Sequence, residues 1–296
     1  MNIIAITSKF NTQEKCIKHL ELIRWDKRPI CPYCKGERTT KLKQEHRHHC
    51  NTCNKSFSVL VGTMFEDTNL SLPKWFAAIT LILNAKKGIS SRQLARDIGI
   101  NKDTAWYLQM RIRVAMREPD VILNGIVEID ETFIGGRLSN KTKKYRMQRD
   151  DAGLNPTGME HRQAVLGLLQ RKGKVLAKVI KKATGAVIKP IIMTNIKKES
   201  TLITDGFGGY ANLYKEYKEH QIVNHQNDEF VKGIYHTNSI EGFWSLVKRS
   251  IMGQFHHLSI RYLDLYIDEC SYKFNNRQNE NLFSSFLTTA LKTNST

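Results

Sequence analysis

The sequence predicts an α/β protein. A mixed sheet with helices fills its second half, and a metal-stapled module and a helical module precede it. Three observations lead there. Two C-x2-C pairs stand fifteen residues apart near the start. A helix, a Gly-containing turn and a second helix read out of residues 86–113. From Asn124 onward, short β-branched apolar runs alternate with helical patterns.

The chain has 296 residues, 41% of them hydrophobic, enough for two or three domains and at least one sizeable core. Lys and Arg number 46 against 28 Asp and Glu, a formal net charge of +18. Both halves are basic, which favours a polyanion, nucleic acid, as partner. The opening MNIIAITSKF is too short and interrupted for a signal peptide. No apolar run approaches the roughly 20 residues of a membrane span. The expected setting is the cytoplasm, at the nucleoid, where disulfides are disfavoured.

Cys31 and Cys34 in CPYCKG, and Cys50 and Cys53 in HHCNTC, match a four-cysteine zinc site. Each C-x2-C makes a knuckle presenting two thiolates, and the metal replaces a core that so short a segment cannot build. Gly36 suits the tight turn. The alternatives, two disulfides or a redox pair, fit a basic cytosolic chain poorly. Four cysteines leave no open coordination position, so this Zn2+ is structural. His46, His48 and His49 are expected on DNA or at the surface. Cys16 and Cys270 lack partners and read as core or incidental.

In KKGISSRQLARDIGINKDTAWYLQMRIR, Leu94, Ala95 and Ile98 line one helical face, capped by Ser90 and broken at Gly99. Asn101 or Asp103 caps a second helix carrying Ala105, Leu108 and Ile112. This is a helix-turn-helix pattern. Its second helix offers Lys102, Asp103, Thr104, Tyr107, Gln109 and Arg111 to DNA. Residues 72–85 form its apolar supporting helix.

The run NGIVEID is short, apolar and ends in Asp130. Strands are expected at 164–170 and 174–180, turned at Lys172-Gly173, then a helix over 186–195. TLITDGFGGY is a buried strand ending in Asp205. Three antiparallel strands, a helix, a strand and further helices match the order of a ribonuclease H-like fold. Adjacent strand ends can hold the two aspartates close together, an arrangement that is costly unless divalent cations bind it. Taken singly, Asp130 reads equally as a solvated strand end and Asp205 as a turn residue. Glu128 shares the face of Asp130, while Glu131 points the other way.

A helix follows in HTNSIEGFWSLVKR. At 100° per residue, Ile240, Phe243, Trp244 and Val247 fall on one side. Glu241, Ser245, Lys248 and Arg249 fall on the other. Asn238 and Glu241 also read as a capping box, so Glu241 is either a cap or a ligand. Residues 266–277 are a helix whose stripe Tyr266, Ile267, Cys270 and Phe274 reads as core.

Glu241 follows Asp205 with 35 residues between, and Lys248 follows Glu241 by seven. With EIDETFIGGR, ITDGFGGY, HTNSIEGFWSLVKR and FNNR, this resembles the DDE signature of bacterial insertion-sequence transposases with an N-terminal zinc ribbon. The resemblance covers roughly residues 15–280. It implies that Asp130, Asp205 and Glu241 bind Mg2+ (or Mn2+) for strand cleavage and strand transfer, with Asn238 as the alternative third ligand. It implies that Lys248 contacts phosphate near the scissile bond. It implies that the ribbon and the helix-turn-helix recognise terminal inverted repeats. The partner is then double-stranded DNA, transposon ends and target, with a homodimer or larger assembly on it. Arg249 joins Lys102, Thr104, Tyr107 and Arg111 as a DNA-binding candidate.

The expected domains are a zinc ribbon with an N-terminal helix over 1–65, the helix-turn-helix over 66–120, the catalytic domain over 121–285 and a tail over 286–296. Residues 137–162 read as a long basic DNA-contacting loop. Two other readings compete: a DNA-binding regulator with a sensing or dimerising C-terminal domain, and a metal-dependent DNA nuclease without strand transfer.

Overall fold

The computed structural model describes residues 2–26, 28–42, 46–118, 121–135, 147, 162–211, 213–223, 235–256 and 258–292. Apart from 147 and 162, the expected loop 137–162 lies outside them. The chain divides into two compact units, Met1–Arg117 with Asn276–Thr296, and Glu118–Asn275.

The first unit opens with helices α1 (Ile3–Lys9) and α2 (Gln13–Trp25), each started by a side-chain cap, Asn2 and Thr12. An antiparallel sheet follows, β1 (Thr39–Leu42), β2 (Arg47–Cys50) and β3 (Ser56–Phe57) in that order. Strand alternation turns His48 inward, against the expectation of a surface or DNA role. It is buried, stacks on Phe57, meets Trp25 edge-on and bonds Glu21 Oε1 at 2.9 Å. Helices α3 (Leu72–Asn84), α4 (Ser91–Ile98) and α5 (Lys102–Ala115) follow. Ser90 caps α4, Gly99 ends it in the left-handed region, and Asn101 rather than Asp103 caps α5 by accepting from the Thr104 N–H.

The second unit is built on a five-stranded sheet. Its strands are β4 (Ile126–Ile134), β5 (Gln163–Gln170), β6 (Val175–Ile180), β7 (Thr201–Thr204) and β8 (Glu219–Ile222), in the order β6-β5-β4-β7-β8. The first three pair antiparallel, and β4–β7 and β7–β8 are parallel. Helix α6 (Gly185–Asn195) makes the crossover from β6 to β7, as expected. β8 was not expected. Its Glu-His-Gln-Ile sequence has no apolar alternation, and it adds at an edge where burial is slight.

Val127 and Ile129 face Ile188 and Ile192 of α6 in one core. On the other face, Val165, Leu169 and Val175 pack with Ile240, Phe243, Trp244 and Val247 of helix α7 (Asn238–Ser250). Leu263 and Ile267 of helix α8 (Leu263–Asn275) join that core. The sheet therefore carries helices on both faces.

Two boundaries differ from those expected. Strand β4 does not stop at Asp130, because β5 pairs with it from Val127 through Ile134. The catalytic segment does not run to 285 with a tail from 286. The chain leaves the second unit after Asn275, and helix α9 (Leu282–Ala290) belongs to the first. Phe283, Phe286, Leu287 and Ala290 are buried at helical spacing, and Phe283 meets the rings of Phe10 and Phe76 at 6.1 and 5.4 Å. That apolar stripe needs a partner, which a tail would not provide.

Candidate active site

Asp130 and Asp205 are brought together by the parallel pairing at the middle of the sheet. The register sets Ile126 opposite Thr201 and Glu128 opposite Ile203. Two residues beyond that match come Asp130, still on β4, and Asp205, just past β7, near enough that the Asp205 charge acts on Asp130. Asp205 directly follows the last residue of β7. It also keeps its turn role, with Oδ1 accepting from the Phe207 N–H at 3.1 Å.

The electrostatics show how crowded this edge is. Burial first, then the charges of Glu131 and Asp205, push the Asp130 carboxyl up to about 7. Burial also raises Glu131, against the lowering effect of the Tyr210 hydroxyl that donates to its Oε2, and Asp205 raises it further. The sequence placed Glu131 on the opposite face, and its bond to Tyr210 agrees, yet its charge still raises Asp130. A carboxyl such as Asp130, held above its usual range by burial and by neighbouring carboxylates, suits a hard divalent cation.

Trp244 of α7 lies against the same edge. It fits there because Gly167 of β5 is paired with Asp130 and has no side chain. A Cβ at Gly167 would sit 2.4 Å from Trp244 Cζ2 and 2.8 Å from Ile240 Cδ1. Trp244 Nε1 is buried and makes no hydrogen bond of good geometry among the described residues. It lies toward Asp130, whose ionised form it favours.

Helix α7 starts differently from the expected capping box. Asn238 is its first residue, and Thr237 stands in the cap position without a side-chain cap bond. Thr237 Oγ1 instead donates to Glu241 Oε1 at 2.8 Å. The cap comes from the sheet. Glu128 is fully buried, and its Oε2 accepts from the N–H groups of Ser239 and Ile240 at 2.9 and 3.0 Å. The Asn238 N–H donates to His236 Nδ1 at 3.3 Å. The orphan donors of the first turn are thus satisfied from outside the helix.

Glu241, Lys248 and Arg249 are exposed on α7. Arg249 Nε donates to the Ser245 carbonyl at 3.1 Å. Among the described residues, only the four cysteines offer three or more ligand atoms all within 4.8 Å of one another. The three acidic candidates do not meet that criterion together.

The cysteines form a second site, in the first unit. Cys31 Sγ lies 3.7 Å from Cys53 Sγ, and Cys34 Sγ lies 3.5 Å from Cys50 Sγ. A tetrahedron with Zn–S arms of about 2.3 Å has edges of about 3.8 Å, so the donor set fits zinc. All four are free thiols. Each knuckle closes through a backbone bond, Lys35 N–H to Cys31 O and Asn54 N–H to Cys50 O, both 2.9 Å. Lys35 and Asn54, not Gly36, take the positive φ. Gly36 is small for a different reason, since a Cβ there would sit 2.9 Å from Thr52 Oγ1. The four thiols act on one another, and the backbone N–H of Cys53 draws Cys50 down to about 6 while burial pushes Cys53 up to about 12.

On α5, Lys102 and Tyr107 are exposed and Thr104 is half-buried. Gln109 and Arg111 are not presented as expected. Gln109 is buried and donates to the Ile89 carbonyl. Arg111 is half-buried, donates to the Glu66 carbonyl at 2.7 Å and stacks over Trp75 and Tyr107. Helical spacing alone does not tell a polar residue that faces water from one that ties a helix to its neighbours.

Sheet order and helix placement define the second unit as a ribonuclease H-like domain. Residues 122–275 match the family model for the ISXO2-like transposase domain, and residues 11–56 match that for the transposase zinc-ribbon domain. The chain belongs to the ISXO2-like transposases, insertion-sequence enzymes with an N-terminal zinc ribbon. It is 28% identical over 249 residues to an uncharacterized protein in transposable element ISH50 of Halobacterium salinarum, covering 81% of this chain and 83% of that protein. It is 31% identical over 107 residues to an uncharacterized transposase-like protein of Haemophilus influenzae, covering 36% of this chain and 85% of that one.

Proposed function

We propose that this transposase binds the terminal inverted repeats of its element and catalyses metal-dependent strand cleavage and strand transfer. The observation that carries the reading is the approach of Asp205, just past the end of β7, to Asp130 on the neighbouring strand, with Asp130 pushed up to about 7 by burial and adjacent carboxylates. Asp130, Asp205 and Glu241 would hold Mg2+ or Mn2+. Bound there, divalent cations supply activation of the attacking oxygen and charge stabilisation of the leaving one.

The chain's own residues orient the reaction. Asp130 sits on a strand paired on both sides, and Asp205 directly follows one that is, with its Oδ1 tied to the Phe207 N–H. Glu241 accepts from the Thr237 hydroxyl on the exposed face of α7, and it would have to close on the two aspartates to complete the set. Lys248, two turns along the exposed face, would bind backbone phosphate and stabilise charge there. Lys102, Thr104 and Tyr107 would contact the ends, and Arg249 would add a phosphate contact. Joining requires paired ends, so the working form would be a dimer or larger on DNA.

The test uses a donor plasmid carrying the reading frame with its native flanks. Native protein with Mg2+ should nick at the element ends and produce joined strands. Asp205→Asn should bind the ends without nicking them. Nicking without any joined product would instead favour the nuclease reading.

A further inference from the structure

We propose that Glu128 is a positioning residue for the reaction, holding the first turn of α7, and so Glu241, in place against Asp130. The inference rests on the assignment of Glu241 to the site.

Glu128 and Asp130 are two residues apart on one strand, hence on one face, separated by about 7 Å of strand rise. From that point Glu128 reaches the helix. Its Oε2 accepts from Ser239 and Ile240, the two residues before Glu241. Its Oε1 takes Arg171 Nε at 3.0 Å and an Arg171 terminal nitrogen at 2.9 Å. The same guanidinium donates to the His236 carbonyl at 3.0 Å, gripping the chain just before the helix. The Glu128 carboxylate and the Arg171 guanidinium therefore fix both sides of the α7 start to the strand that bears Asp130.

Stability alone does not account for this arrangement. A buried ion pair is often no more stabilising than apolar residues of the same volume. A Thr already stands in the cap position, able to satisfy the helix start locally, yet the Thr237 hydroxyl goes to Glu241 instead. Glu128 does it from 111 and 112 residues away in sequence. What the long-range cap adds is a fixed distance between two elements, each with one candidate ligand. Gly167 supports the same docking by admitting Trp244 and Ile240 to the sheet.

The experiment compares full-length native protein, Glu128→Asp, Arg171→Lys and Glu241→Gln. The readouts are the thermal midpoint, Mn2+ affinity by electron paramagnetic resonance, hydrogen exchange at Ser239 and Ile240, and nicking of the native-flank plasmid at saturating and limiting DNA. Glu128→Asp keeps the charge but withdraws it by one methylene. It should remain folded, expose the two amides to exchange, and lose at least about tenfold in Mn2+ affinity and saturated nicking rate. The DNA concentration for half-maximal rate should stay within about twofold, which a general loss of structure would not allow. If Glu128→Asp fails to fold, Arg171→Lys carries the test, with the same signature expected. A folded Glu128→Asp, or failing that Arg171→Lys, with native Mn2+ affinity and rate overturns the proposal. Native nicking by Glu241→Gln would instead overturn the assignment of Glu241, on which the proposal rests.

Discussion

Asp130 and Asp205 each come two residues after the register match of Glu128 with Ile203 in the parallel pair β4–β7, and the Asp205 charge reaches Asp130. The two carboxylates come from positions 75 residues apart in sequence, and the parallel pairing of β4 with β7 brings them to one edge of the sheet. Four expectations follow from this edge and from the ribbon.

Asp205→Asn should abolish nicking by more than about 100-fold, beyond what loss of an outer partner costs. End binding, followed by gel shift, should persist, because the ribbon and α5 belong to the other compact unit. Mg2+-dependent nicking at the native rate would rule out the carboxylate pair as the site.

Asp130→Asn should stabilise the metal-free protein at neutral pH. The Asp130 carboxyl is raised from 3.8 to about 7, so the folded chain keeps a proton that the unfolded chain has released. Its contribution to stability therefore falls as pH rises from about 4 to about 7. Asparagine has no such loss. At pH 8 without divalent cations, the variant should gain on the order of 1–2 kcal/mol, or about 2–6 °C in Tm. Added Mn2+ should raise the native midpoint more than the variant's. Calorimetry decides it, and a variant that melts below native protein under those conditions counts against a frustrated site.

Gly167→Ala should cost about 1–3 kcal/mol, the usual penalty for overpacking a filled core. The added methyl has no room beside Trp244 Cζ2, so the indole must move away from Asp130. A shift in Trp244 fluorescence and a lower nicking rate should accompany the loss. An unchanged melting curve would show that α7 does not seat as closely as described.

Cys31→Ser should remove zinc, measured by atomic absorption, and with it the fold of the ribbon. Sites of this type contribute roughly 10–16 kcal/mol near neutral pH, more than so small a sheet has in reserve. End binding should fall with the zinc. Chelation of native protein should reproduce the effect, and zinc content unaltered by the substitution would refute the four-thiolate site.

Much of this molecule is written locally. The knuckle spacing of Cys31, Cys34, Cys50 and Cys53, the caps Ser90 and Asn101, and the apolar runs of β5, β6 and β7 each depend on a few neighbouring residues. Thiolate geometry, helix capping and side-chain periodicity act over that range, so the ribbon, the helix pair and the α/β class are legible in sequence. The meeting of Asp130 with Asp205 was approached the same way, from two strands expected to adjoin.

Tertiary structure decided the rest, because the partners lie far apart along the chain. Glu128 looked like a bystander to Asp130 until α7 folded onto it, and the Asn238–Glu241 capping box gave way to that distant carboxylate. Arg111 and Gln109 carry polar side chains that the sequence reading offered to DNA, yet carbonyls of Glu66 and Ile89 claim them. His48 went into the ribbon core and α9 into the first unit because apolar and aromatic neighbours were waiting there. Local physics selects the elements. Which buried donor meets which acceptor is settled only when the elements pack, since leaving either one unpaired costs more than any local preference supplies.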